Sequence, residues 1–381
     1  MIEKKLLKNL DWVFLLAVIA ILIMSALVLA SASSSVVPDD PYYYARKHLL
    51  YIATGLGLMF FAAGFNYVQL ARMQRFLYVL NLLFLGAVLV PGVGKVSNGA
   101  QSWIGIGSFT LQPSEFAKVF LIITFAQFLV SRQGRLNTFK DLIPCFLYVA
   151  GPLVLIFAQP DLGTSLVFIA IMFGMMLVAG ANPKILALLF FGGIFLIVAV
   201  LWLHFHLKVP IPLEDYQIMR LVVFLDPYAD GKNGLGAGYN IIQSLVAVGS
   251  GGFWGKGLFK GTQGQYNFLP YHHTDFIFSI IGEELGFVGG MLLLILYFIL
   301  LYRALRIAMQ AKDLYGVLLV TGVVSMLTFH ILENIGMAIG MMPITGIPLP
   351  LFSYGGSNMW ANLLALGIIL SVNLRRQVIP F

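Results

Sequence analysis

Charge is what this sequence has least of. Only 10% of its 381 residues are Asp, Glu, Lys or Arg, whereas soluble domains carry roughly 25%. So few charges cannot cover a water-facing surface, which excludes a soluble globular protein. Cysteine is nearly absent. The single Cys145 excludes an intrachain disulfide and any cysteine-based metal site. There is no basic stripe and no RNA-binding aromatic motif. The net charge of +7 is scattered through short loops, so nucleic acid is excluded as a partner. No obvious internal repeat of the kind that marks many secondary transporters is visible.

What the chain does have is apolar length. Hydrophobic residues make up 60% of it, in recurring runs of about 20 residues, enough for a helix to cross a bilayer core of about 30 Å. The expected fold is an all-α polytopic membrane protein, one membrane domain over 1–381. Its ten or so transmembrane helices are expected near 12–32, 48–65, 76–94, 115–131, 142–158, 162–180, 184–205, 276–301, 315–340 and 352–373. The first span follows Lys4, Lys5 and Lys8 as a signal peptide would, but it is too long for one and reads as a retained helix. One set of loops (Lys4, Lys5, Lys8, Arg72, Arg75, Arg132, Arg135, Lys140, Lys184, Arg303, Arg306, Lys312, Arg375, Arg376) holds 14 of the 23 cations against four acids. That bias puts both termini in the cytoplasm. Segment 206–275, before helix eight, is then extracytoplasmic. It is glycine-rich, yet its apolar stretches and aromatics predict a folded loop with short interfacial helices rather than disorder.

Ionisable groups at the rim of a span are costly and are functional candidates by default. Glu115 and Lys118 follow Gln112-Pro113-Ser114 and share a helix face at i,i+3. They read either as a self-satisfied ion pair or as a cation held toward an anionic head group. Asp161, in Gln159-Pro160-Asp161, either caps the next helix or touches substrate. Arg220 stands on an apolar stretch; it either snorkels or binds phosphate, for which its fork is well shaped. Asp275 opens a long apolar helix behind His272, His273 and Thr274, where N-capping is the plain alternative. The two adjacent histidines point apart on any regular element, which argues against joint metal ligation. Glu283 and Glu284 lie roughly 12 Å further along that helix and need a cationic partner or a raised pKa. Glu333, in the ninth span, reads as a structural tie.

Taken together these segments resemble the SEDS family (shape, elongation, division and sporulation) of membrane glycosyltransferases. The matching pieces run in order: Gln101-Ser102-Trp103-Ile104, Gln112 to Lys118, Gln159 to Thr164, Asp226-Pro227, Gly236-Ala237-Gly238-Tyr239, Gln243-Ser244, Leu269-Pro270, His273 to Phe278, Glu283 to Gly286, Pro343 to Pro350 and Ser353-Tyr354-Gly355-Gly356-Ser357. Leu10-Asp11-Trp12, the histidine pair and Asn334-Ile335-Gly336-Met337 are more similar to the RodA branch than to FtsW. Asn240 stands where the family more often has Gln, and Asn358 where a second Ser is common.

The resemblance implies polymerisation of lipid II, an undecaprenyl-pyrophosphate-linked disaccharide pentapeptide, outside the bacterial plasma membrane during cell elongation. A sugar 4-hydroxyl attacks an anomeric carbon and undecaprenyl pyrophosphate leaves, with inversion. Such a step needs a carboxylate to take the acceptor proton and cations for the departing charge. The resemblance assigns the first role to Asp275. Lys118 and Arg220 suit the second, and Glu115, Asp161, Gln243, Ser244, His273 and Thr274 join them as substrate-binding candidates. Glu283, Glu284 and Glu333 support from behind. A divalent cation such as Mg2+ bridging the pyrophosphate to Asp275 or Asp161 is left open, as is any metal requirement. The lipid tails call for a groove opening sideways, which would account for the surface glycines as points of close backbone approach to a ligand. The implied partners are a class B penicillin-binding protein transpeptidase, expected on the outer parts of helices eight and nine, and other elongation-complex membrane proteins. The rival readings are a flippase for the lipid-linked precursor and a non-catalytic scaffold.

Overall fold

Inside a bilayer no water is available for backbone N–H and C=O groups, so the long apolar runs close their hydrogen bonds within themselves as helices. The computed structural model describes residues 9–376 apart from 38, 98–99, 107–108, 211–214 and 233; Lys4, Lys5 and Lys8 lie outside the described residues. In chain order the helices are α1 (Trp12–Ala32), α2 (Tyr43–Gly64), α3 (Tyr67–Arg72), α4 (Gln74–Ala87), α5 (Pro113–Val130), α6 (Phe139–Phe157) and α7 (Leu162–Val178). They continue as α8 (Pro183–Leu207), α9 (Asp215–Leu225), α10 (Tyr239–Gly251), α11 (Thr262–Gln265), α12 (Ile277–Met309), α13 (Leu314–Ala338) and α14 (Gly356–Leu374). Eight of these are long and apolar enough to cross a membrane. The shorter α4 and α7 stand where the third and sixth spans are expected. The chain is a multi-pass, all-helical membrane protein.

The third span departs from expectation. Its helix stops at Ala87 rather than running to 94, and the chain enters a three-stranded antiparallel sheet of β1 (Gly94–Ser97), β2 (Ala100–Ile106) and β3 (Phe109–Leu111). Gly94 pairs with Ile104, and Ile104 in turn with Leu111. The apolar residues of 88–94 that extend the hydropathy pattern are turn and strand, not helix.

The bundle has two differently furnished ends. At one, Asp11 caps α1 through the Phe14 N–H and takes a two-pronged ion pair from Arg303 (2.6 Å). Tyr67 bonds Asp313 and Arg375 bonds the Gly64 carbonyl at the same end. At the other end of α1, the His272 ring reaches the Ala32 carbonyl (2.7 Å) and Ser35 bonds the Gly264 carbonyl. α14 is the most enclosed span, while α8 fully buries only Leu186 of its 25 residues and is otherwise half-buried or exposed.

Segment 206–275 carries α9, α10 and α11, as its apolar stretches suggested. Several of its glycines shape the loop itself. Asp230 accepts backbone N–H groups from Lys232, Gly234, Gly236 and Gly238, which holds its carboxyl down to about 2. Further on, α12 is broken at Gly286 (φ 64°, ψ −161°). The groups freed by the break are met by the loop after α10. The Phe287 N–H donates to Gly252 O, Val288 to Phe253 O, Lys256 to Glu283 O and Gly257 to Glu284 O. Glycine at 255 lets this loop lie directly on α12: a Cβ there would stand 2.2 Å from the Glu284 carbonyl oxygen.

Gly286→Ala places a Cβ about 2.3 Å from the Gly255 nitrogen on a backbone that only glycine adopts freely. It is expected to cost about 1–3 kcal/mol or more and to lower the unfolding temperature in detergent. An unchanged melting curve would show that the break does not fasten the loop.

Candidate functional site

A cavity of about 480 Å³ opens at the end of the bundle away from Arg303, and residues distant in sequence converge on it. α5 supplies Glu115 and Lys118, and Pro113 begins that helix. The Lys118 ammonium is buried and lies 2.8 Å from Glu115 Oε1 and 3.1 Å from His330 Nε2 of α13. The two side chains form an ion pair, and both line the cavity. A buried ammonium needs such partners, because isolated charge in a low-dielectric medium is costly. Asp161 caps α7, accepting from the Thr164 N–H (2.9 Å) and hydroxyl (2.7 Å), and also lines the cavity. Arg220, on α9, stacks its guanidinium 5.5 Å from the Tyr216 ring and forms no ion pair with a described residue.

Asp275 is not a cap. The N-cap of α12 is Phe276, which makes no side-chain hydrogen bond there, and the Thr274 hydroxyl turns back to the Tyr271 carbonyl. The Asp275 carboxyl is left to the cavity. Its main chain is fixed instead. Three successive carbonyls are held: His273 by the Tyr354 N–H, Thr274 by the Ser353 hydroxyl, and Asp275 by the Asn334 amide (2.7 Å), which also donates to Ile347. Protein surrounds the half-buried side chain, and that burial pushes its carboxyl up to about 7; Arg220 and a Thr274 hydrogen bond pull the other way. Burial likewise pushes the His273 imidazole down to about 4, leaving a neutral ring at the cavity wall.

Other candidates fall outside the cavity. Ser244 is buried between Ser279 and the Ala338 carbonyl, tying α10 to α12 and α13. Gln243 beside it does not reach the lining. Neither stands with the other substrate-binding candidates at this cavity. Glu283 is saturated by Lys256 (2.6 Å), Thr262 and the Gln263 N–H, which is the cationic partner its burial demands. Glu284 accepts from Ser31 (2.6 Å), and Glu333 from Thr345 (2.9 Å). His330, Tyr44, Tyr216, Thr345 and Tyr354 line the cavity without having been singled out. A lone histidine on an apolar helix carries no local mark, and its partner Lys118 is 212 residues away. Among the described residues no group of three or more His, Cys, Asp or Glu is placed to hold a metal, so a cation bound here would draw most of its ligands from phosphate and water.

Residues 10–378 match the model of the FtsW, RodA and SpoVE family, described as cell cycle protein. The chain belongs to this family. Among its members, "Stage V sporulation protein E" of Bacillus subtilis (strain 168) is 40% identical over 333 residues, covering 87% of each chain. "Peptidoglycan glycosyltransferase RodA" of Treponema pallidum (strain Nichols) is 35% identical, over 87% of this chain and 89% of its own. A solved structure titled "Structural coordination of polymerization and crosslinking by a peptidoglycan synthase complex" superposes with a TM-score of 0.78 at 33% identity, over 95% of this chain and 97% of that one. Within the FtsW, RodA and SpoVE family the comparisons support the RodA branch.

The raised Asp275 value gives a direct check. Infrared difference spectra should show a protonated-carboxyl band that is absent from Asp275→Asn and is lost, as pH rises, with a midpoint near 7. A midpoint near the ordinary 3.8 would mean that the group is solvated.

Proposed function

We propose that the chain is a peptidoglycan glycosyltransferase that polymerises lipid II on the outer face of the bacterial plasma membrane during elongation. One observation carries this: an aspartate with a raised pKa, unused by the helix it precedes, shares a cavity with a lysine and an arginine. In the proposed step the 4-hydroxyl oxygen of the acceptor sugar bonds the donor's anomeric carbon. The bond from that carbon to the diphosphate oxygen breaks, and the hydroxyl proton passes to Asp275. A single displacement inverts an α-linked donor to a β-linked product, so no protein nucleophile is required. Lys118 and Arg220 balance the charge that gathers on the departing diphosphate. A base with a pKa near 7 is well matched to neutral pH, and turnover should fall as pH drops below that value, because the proton acceptor is then filled.

The family names of the relatives support this reading. The opposed ends of the bundle suit cytoplasmic termini and an outward-facing cavity, with 206–275 folded over the outer side. The synthase-complex neighbour, whose title couples polymerisation with crosslinking, supports a class B penicillin-binding protein as partner.

Asp275→Asn should lower glycan polymerisation about 10²–10⁴-fold while expression and folding persist. Purified mutant with wild-type turnover would take Asp275 out of the reaction. Arg220→Ala should raise the lipid II concentration needed by roughly 10–100-fold, the weight of a charge-assisted hydrogen bond. An unshifted concentration dependence would assign the guanidinium to snorkelling. Detergent-solubilised protein should lengthen glycans without any membrane; a flippase would make none.

A further inference from the structure

The cavity has a second wall, made of rings. Tyr44, His48 and Tyr51 recur at i, i+4 and i+7 along α2 and so share one face. Tyr354, from the turn before α14, lies against all three, with ring centroids 4.9, 6.4 and 5.8 Å away. His273 closes the group, 5.2 Å from Tyr44 and 6.1 Å from Tyr354. Trp360 backs Tyr51 edge-on at 5.7 Å. Tyr44, Tyr51, His273 and Tyr354 are half-buried and all line the cavity. Tyr44–Tyr354 and Tyr51–Trp360 pack edge to face and the remaining pairs are tilted, contacts that hold the rings together as a preformed surface. It bears no formal charge, because burial keeps His273 neutral.

The cations come from other elements, Lys118 from α5 and Arg220 from α9, and share the lining with the carboxylates of Glu115 and Asp161. The two walls meet at the segment 273–275, which contributes a ring at one end and the Asp275 carboxyl at the other. Inversion at a single carbon sets nucleophile and leaving group on opposite sides of it. With the diphosphate drawn to Lys118 and Arg220, the attacking sugar belongs on the side away from them, with the base between. A pyranose ring presents an apolar C–H face and a rim of hydroxyls, the complement of a tyrosine's π face and phenolic oxygen.

Building on the proposed function, we infer that the ring wall of Tyr44, Tyr51, His273 and Tyr354 is the acceptor subsite and binds β-1,4-linked amino sugars of the growing glycan. The alternative use of such rings is as a belt against lipid at the membrane interface, and the experiment separates the two.

Polymerisation of lipid II by the purified full chain is measured with two competitors: a soluble β-1,4-linked N-acetylglucosamine tetrasaccharide for the acceptor side, and undecaprenyl diphosphate for the leaving-group side. In Tyr44→Leu and Tyr354→Leu the tetrasaccharide concentration for half-inhibition should rise about tenfold, a loss of about 1.4 kcal/mol. Sensitivity to undecaprenyl diphosphate should stay within about twofold, on the same scale. Tyr44→Phe, which keeps the ring, should restore most of the tetrasaccharide effect. Arg220→Ala should show the reverse pattern. Where a substitution at the centre unfolds the chain, Tyr51→Leu at the edge of the wall carries the same test. The inference is overturned if the leucine variants lose diphosphate sensitivity instead, if neither competitor is affected, or if wild-type enzyme polymerises lipid II yet ignores the tetrasaccharide. A wild-type chain that makes no polymer overturns the function proposed beneath it.

Discussion

Everything in this protein is built around the difficulty of keeping charge and broken hydrogen bonds out of contact with lipid. A carboxylate in this setting needs donors, and most carboxylates here have them. Glu283 is met by an ammonium, a hydroxyl and backbone N–H groups. Asp230 is surrounded by four backbone N–H groups. Asp11 holds Arg303, Glu115 holds Lys118, and Asp161 is spent on its own helix. Measured against those, Asp275 stands out: the carbonyls of 273–275 are all engaged while its side chain is left poorly solvated. The three carbonyl bonds at 273–275 create that condition. They hold the backbone, keep α12 from using the carboxyl as a cap, and leave the carboxyl facing the cavity.

The same constraint explains the broken eighth span. A glycine at positive φ opens α12 inside an apolar helix, and the groups so exposed must be met by protein. The loop after α10 meets them with its own backbone, which requires glycine on both sides of the contact. That loop is fastened again by Glu283 and Glu284. The break thereby joins segment 206–275 to the helix that follows Asp275.

Much of this was legible in the sequence. The spans followed from apolar length. The cap at Asp161 and the Glu115–Lys118 pair followed from local spacing. What escaped has no local signature. The segment 88–94 is apolar, so hydropathy extends the preceding helix over it, and the short strands that follow have no run long enough to mark them. The break at Gly286 is visible only once the loop that mends it is in place. His330 is a single polar residue on an apolar helix. The ring wall draws on α2, the 273 turn and the 354 turn, more than 300 residues apart along the chain. The place of Gln243 and Ser244 away from the cavity was not legible either, because a family motif marks positions without saying which way they face.

The central claim is that one cavity holds a departing diphosphate and an attacking sugar with Asp275 between them. The most direct measurement is an experimental structure of the chain with a non-reactive lipid-linked disaccharide diphosphate and an acceptor glycan bound. The account predicts phosphate oxygens on Lys118 and Arg220 and the acceptor 4-hydroxyl within about 2.6–3.2 Å of the Asp275 carboxyl, or one water away. Ligands lodged elsewhere, or an Asp275 side chain facing acyl chains, would contradict it.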